Sequence, residues 1–261
     1  MSYTLGRIVE HDERSRGYAL PESDLSKLKS KRWARHVPIF DQGAIGSCTG
    51  NSMLGALGTS THFEALKTLG KSPEYSQATA IDIYSSATKI DGFKDEYPPV
   101  DRGSSGLAVS KIAKERGWID SYLHAFTFNA VCTALQEGPA ICGIPWYNSF
   151  MNPVKGECIL KGERTKGVHA GHQILLDEID VDNQRIWFTN SWGSLWGIGG
   201  RAYFSFDTLK ELLGMQGDVT YFVPITEAGP TETTVWQNYK LFFKSLGEII
   251  ISLIGQLWKR K

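Results

Sequence analysis

The sequence predicts an α+β protein in which a helical half and a strand-rich half face one another. Two observations carry this. Residues at helical spacing dominate the chain up to Gly117, and from Gly138 onward short β-branched and aromatic runs replace them. With 41% apolar and 11% aromatic residues, the chain of 261 residues has ample material for a sizeable core.

Taken in order, residues 1 to 35 are polar and charged and read as an extended N-terminal arm, in which Pro21-Glu22-Ser23-Asp24 starts a short helix through Leu25 and Leu28. The Gly-Ser entry before Cys48, with Met53, Leu54 and Leu57 behind it, predicts a helix from Cys48 to about Leu57. Cys48 therefore sits at a helix N-terminus. Further helices are predicted over Tyr75 to Ile90 and Leu107 to Arg116, each followed by a glycine, Gly92 and Gly117. Strands are expected over Pro139 to Ile144, His172 to Ile179, Arg185 to Thr189 and Arg201 to Phe206. Thr226 to Thr234 reads as a linker, and Val235 to Lys261 as one amphipathic helix. Its seam of Tyr239, Phe243, Leu246, Ile250, Leu253 and Leu257 suits self-association or docking on its own domain. Trp236, Trp258 and the final Lys259-Arg260-Lys261 suit a membrane surface instead. Its longest uncharged run, Ile249 to Trp258, is too short to span a bilayer.

Charge limits the function classes. Lys plus Arg and Asp plus Glu each number 28, so no overall field recruits nucleic acid or an anionic membrane. Four cysteines are too few for a disulfide scaffold, and Met1 to Ser23 holds no apolar run like a signal peptide. The expectation is a reducing, cytoplasmic setting, with association with a virion as a variant of it.

A thiol becomes a strong nucleophile only when ionised, which a helix N-terminus and a neighbouring imidazolium both favour. Cys48 has the first. Among the six histidines, His172 opens the apolar strand Gln173-Ile-Leu-Leu176, which would hold its ring rigidly. His169, three residues earlier, is its rival but opens no such strand. His11, His36, His62 and His124 read as ordinary surface or core residues, and Cys132, Cys142 and Cys158 as small buried hydrophobes. A metal site built from Cys158, His169 and His172 lacks a close cysteine pair at ligand spacing, so no metal is expected.

Three separated motifs, Gln42-Gly43-Ala44-Ile45-Gly46-Ser47-Cys48, His172-Gln-Ile-Leu-Leu and Asn190-Ser191-Trp192-Gly193-Ser194-Leu195-Trp196-Gly197, resemble the signatures of the papain-like cysteine peptidases in order and spacing. The resemblance covers roughly residues 36 to 225, and the long segment Ser76 to Trp118 is closer to bacterial and phage members. It implies a two-subdomain fold, with a helical left half, an antiparallel strand-rich right half and a cleft between them. It also implies an endopeptidase acting on polypeptide without cofactor. The roles it implies are Cys48 as nucleophile, His172 as general base and acid, Asn190 as the group orienting the ring, and Gln42 as an oxyanion donor. On the same basis Trp192 shields the bond between Asn190 and His172, Gly103 and Ser104 form a backbone shelf for the substrate strand, and Gly171 flanks it.

The sequence departs from the family pattern at Ile45, where a disulfide cysteine is common, at Thr49, where an aromatic is usual, and at Gln173, where a small apolar residue is more frequent. Residues 1 to 35 are shorter than the usual inhibitory pro-segment, and the arm either leaves the enzyme active as made or crosses the cleft. Two other classes compete. One is an amidase or endopeptidase acting on peptidoglycan stem peptides with the same Cys-His chemistry. The other is a papain-shaped structural or interaction protein of a virion.

Overall fold

The computed structural model describes residues 4–10, 12–22, 24–160 and 170–227. The proposed C-terminal amphipathic helix lies outside them, as does the linker apart from residues 226 and 227. Along the described chain run β1 (Lys31–Arg32), α1 (Cys48–Leu57), α2 (His62–Thr68), α3 (Gln77–Thr88), α4 (Gly106–Glu115), β2 (Ser121–Ala125) and α5 (Phe128–Glu137). Then come β3 (Ala140–Trp146), β4 (Ala170–Asp180), β5 (Arg185–Thr189), β6 (Arg201–Ser205), α6 (Phe206–Gly214) and β7 (Asp218–Val223). Within the arm a 3-10 turn, Leu25–Lys27, stands where the short helix is expected, and another, Glu13–Tyr18, precedes it.

The predicted α+β architecture is present. Helices α1 to α4 precede every strand of the sheet but β1 in sequence, and the antiparallel sheet has the order β2-β7-β3-β4-β5-β6, with β1 paired to β4. The expectation that helices come first and strands second needs correction, because α5 and α6 lie among the strands and β2 precedes α5. Thr127 and Ser205 cap those two helices, accepting from the backbone N–H of Ala130 at 3.1 Å and of Thr208 at 3.2 Å. Both caps stand in the sequence, but the strand-like aromatic residues beside them mask the helical period.

Two cores meet across the sheet. Met53, Leu54, Leu57, Ile83 and Val109 of the helices pack with Ile141, Leu175 and Phe222 of the strands. On the opposite face Trp146, Phe150, Phe188, Phe204, Trp192 and Trp196 form an aromatic core. Alternation along β4 produces this division, since Leu175 joins the helical core while Ile174 and Leu176 join the aromatic one. Helix α1 also runs very close to α3: a Cβ on Gly50 would lie 2.1 Å from the Ala80 carbonyl oxygen. Only glycine permits that approach.

His62 shows how strictly this interior excludes charge. The ring is fully buried, meets Phe222 edge-on at 6.1 Å and lies with Nε2 3.1 Å from the Phe222 carbonyl oxygen. Burial lowers its pKa to about 4, against the upward pull of that carbonyl and of Glu64. The folded state thus holds the ring neutral where the unfolded chain takes up a proton below about pH 6.5. The resulting stability is fully present above pH 6.5 and is lost as pH falls towards 4, in total on the order of 3 kcal/mol. Urea unfolding at pH 7 and pH 4.5 should show a fall of that order, shallower in His62→Gln; an equal fall in both chains would contradict the neutral ring.

Candidate active site

The first turn of α1 puts Cys48 beneath a loop held from two sides. The Gly46 N–H donates to Asp101 Oδ2 at 2.8 Å, and Asp101 Oδ1 accepts from the Tyr84 hydroxyl at 2.6 Å. That hydroxyl accepts in turn from the Gly103 N–H at 3.0 Å, so one carboxylate positions both the loop before Cys48 and the expected shelf. The shelf has a second support. Arg102 forks onto Asp91 at 2.8 and 3.2 Å, and the Ser104 hydroxyl donates to Asp91 Oδ2 at 2.8 Å. Neither Asp101 nor Tyr84 stands out in the sequence, because nothing local marks the contacts they make.

The caps separate α1 from the other long helices. Ser76, Ser105, Thr127 and Ser205 each place a hydroxyl on a first-turn N–H of α3, α4, α5 and α6. Ser47, at the start of α1, makes no such bond, and its Oγ accepts from Asn51 Nδ2 at 3.0 Å instead. The first N–H groups of α1 therefore receive no side-chain cap, and that of Thr49 turns to the Cys48 sulfur instead.

His172 enters from β4, in register with Ile144 of β3. Its Nε2 lies 2.8 Å from Asn190 Oδ1, and its Nδ1 is buried without a hydrogen-bond partner among the described residues. Trp192 stacks on the ring at 4.8 Å and 30°, and Trp146 meets it edge-on at 4.6 Å. These indoles strip water from both the imidazole and its bond to Asn190. The next residue, Gln173, brings its backbone N–H to the Cys48 thiol, so the thiol and the imidazole belong to one site. His169 lies outside the described residues, as does His11.

Gln42 is clamped to the loop carrying Asn190. Its N–H donates to the Ser191 carbonyl at 2.9 Å, its Oε1 accepts from the Ser191 hydroxyl at 2.6 Å, and the Gly193 N–H donates to the Phe40 carbonyl at 3.0 Å. With Oε1 occupied, the Gln42 amide group faces the cleft, donating to Ile45 O at 2.9 Å and Thr4 O at 3.0 Å.

Thr4 belongs to the N-terminal arm, which crosses the cleft. Gly6 O accepts from the Ser104 N–H at 2.8 Å, the Ile8 N–H donates to Ser104 O at 2.7 Å, and the Arg7 N–H donates to Gly171 O at 3.0 Å. Gly103, Ser104 and Gly171 thus hold a strand here, and that strand is the chain's own. Fit is tight: a Cβ on Gly6 would lie 1.9 Å from Gly46 O. The arm also turns the Gly6 N–H towards the Cys48 sulfur. A nitrogen-bound proton rather than a carbonyl carbon faces the thiol, so at that position the arm offers no electrophile.

Covering the site changes its electrostatics. Burial pushes the Cys48 thiol up to about 11, against the N–H groups of Gln173, Gly6 and Thr49 and the Arg7 guanidinium. Burial also lowers His172 to about 4, against its bond to Asn190. Both groups are neutral beneath the arm. The remaining cysteines, Cys132, Cys142 and Cys158, are buried and unbridged, and burial raises the pKa of each.

No protein-family model matches the sequence, and no curated protein matches it. Solved structures do. Xylellain, a cysteine protease from Xylella fastidiosa, superposes with a TM-score of 0.67 at 19% identity over 86% of this chain and 97% of its own. Procathepsin L 3 from the larval midgut of Tenebrio molitor gives a TM-score of 0.58 at 14% identity, covering 84% of this chain and 75% of its own. Procathepsin L2 from the same source gives 0.55 at 14% identity, covering 85% and 78%. With these likenesses and the architecture described above, the chain has the fold of the papain-like cysteine peptidases.

Proposed function

We propose that the chain is a cysteine endopeptidase that hydrolyses polypeptide through a thioester on Cys48. The observation that supports this most directly is the orientation of His172. With Nε2 directed at Asn190 Oδ1, the other ring nitrogen is left buried without a partner among the described residues, while the next residue, Gln173, brings its N–H to the Cys48 thiol. When substrate replaces the arm, Nδ1 takes the Cys48 proton and the sulfur attacks the scissile carbonyl carbon. The negative charge passes to the carbonyl oxygen, where the Gln42 amide and the uncapped Cys48 N–H donate to it. Collapse of the tetrahedral species breaks the C–N bond, and the imidazolium returns its proton to the leaving amine. Water, deprotonated by His172, then hydrolyses the thioester and releases the acid.

Asn190 supports both stages by accepting from the ring N–H, which keeps the ring in one orientation through each proton transfer. Trp192 and Trp146 exclude water, which strengthens that bond in the low-dielectric interior. Release of the arm is a precondition in this reading, because the arm holds the Ser104 and Gly171 backbone contacts and the Gln42 amide that an extended substrate would take.

Cys48→Ala should abolish casein hydrolysis and covalent labelling by an epoxide or vinyl-sulfone inhibitor; labelling that persists at another residue with activity intact would overturn the assignment. Gln42→Ala should lower kcat by about a hundredfold while labelling by iodoacetamide, which forms no oxyanion, stays within a few-fold. A proportionate loss of both would move Gln42 from transition-state stabilisation to a structural role. Release of fragments from purified sacculi, with none from casein, would transfer the activity to peptidoglycan stem peptides.

A further inference from the structure

The arm's side chain in the cleft is an arginine, and its surroundings are built for one. The Arg7 side chain is 2% exposed, with Nη2 paired to Asp218 Oδ2 and donating to the Gln216 carbonyl at 2.6 Å. Two glycines leave the space it fills, and a third lies beside its partner Asp218. A Cβ on Gly143 would lie 2.6 Å from Arg7 Nε, and one on Gly171 would lie 3.1 Å from Arg7 Cδ. A Cβ on Gly106 would lie 3.3 Å from Asp218 Oδ1 and 3.2 Å from the Gln173 carboxamide. That carboxamide is fully buried, and neither its oxygen nor its nitrogen has a hydrogen-bond partner among the described residues. Buried polar groups are almost always paired, so this one is a reserve donor and acceptor at the pocket wall.

An internal ion pair alone would account for Asp218 and Arg7 but not for their place in the site. The backbone on either side of Arg7 pairs with Ser104, and Arg7 itself with Gly171 O, the contacts through which an extended peptide would be held. Asp218 is also not sealed in: its side chain remains 36% exposed with the arm in place. When the arm leaves, the carboxylate is hydrated rather than stranded as a buried unpaired charge, so the pocket can empty and refill.

We infer that Asp218 and the Gln216 carbonyl form a specificity pocket selecting an arginine side chain of the polypeptide substrate, and that Arg7 of the chain's own arm is the resident mimic of that side chain. This rests on the peptidase reading above. A single guanidinium nitrogen, Nη2, meets the carboxylate and the carbonyl together, which neither an aliphatic nor an acidic side chain can do.

The test uses the full chain with the arm expelled. Gly6→Val drives a side chain into Gly46 O without touching the pocket, and Arg7→Glu sets a like charge against Asp218. Cys48 alkylation by iodoacetamide, located by peptide mass mapping, should be faster in both than in the natural chain; no change in either overturns the proposal. In Gly6→Val, a synthetic peptide of residues 4–10 should protect Cys48 at about tenfold lower concentration than the same peptide with leucine for arginine. Adding Asp218→Asn or Asp218→Ser should abolish that difference. Equal protection by both peptides before those substitutions overturns the pocket. Fluorogenic peptides varied at that position should give an arginine preference of about tenfold in kcat/KM, likewise lost with Asp218. If no peptide is cut, the peptidase reading fails, while the protection assay still decides the pocket.

Discussion

The bond between His172 Nε2 and Asn190 Oδ1 is the constraint on which the site depends. An imidazole buried between two indoles cannot leave its N–H unpaired without large cost, so a single acceptor decides which nitrogen carries the proton. Each element of the strand-rich half serves that choice. Strand β4 carries the ring, β3 presents Trp146, and the loop after β5 presents Asn190 and Trp192. The helical half answers with one residue, Cys48, at the start of its most deeply buried helix.

A second layer holds the two halves of the chemistry in common register. Gln42 and Ser191 are tied by two hydrogen bonds, which lock the loop before Cys48 to the loop carrying Asn190. Asp101 and Tyr84 couple the same Cys48 loop to the backbone at Gly103 and Ser104 that grips the extended arm. Deeper in the sheet, Arg201 bridges Asp177 at 2.6 Å and Glu178 at 2.9 Å across β4. Thr189 of β5 donates to the same Asp177, so the strand bearing His172 is braced on its polar side as well.

Much of this was legible before any coordinates. The α+β class follows from periodicity, α1 and β5 have the boundaries expected of them, and α3 and α4 differ by only a few terminal residues. Those elements are long and keep one period throughout. The obscured elements are β1, α2, α5, α6, β2 and β7; in most of them aromatic and β-branched residues serve helix and strand alike and the decision falls to tertiary packing. Among site residues, the spacing of the three motifs draws attention to Cys48, His172, Asn190 and Gln42. Asp101, Tyr84 and Asp218 are invisible by comparison, since a carboxylate that braces a loop has no local sequence partner. Arg7 looked like one charge in a charged arm; only the fold brings it to Asp218, 211 positions away.

Because the arm is part of the same chain, its occupancy of the cleft is unimolecular. A tethered segment acts at an effective concentration that for short flexible connections is roughly millimolar, whatever the protein's own concentration. Dilution therefore cannot clear the cleft, and an incoming peptide contends with a competitor that never diffuses away. The apparent affinity of the full chain for any cleft ligand is lowered by the fraction of molecules in which the arm is docked. The length and stiffness of the connection to β1 thus set a threshold for engagement, tunable without altering any residue that touches the ligand.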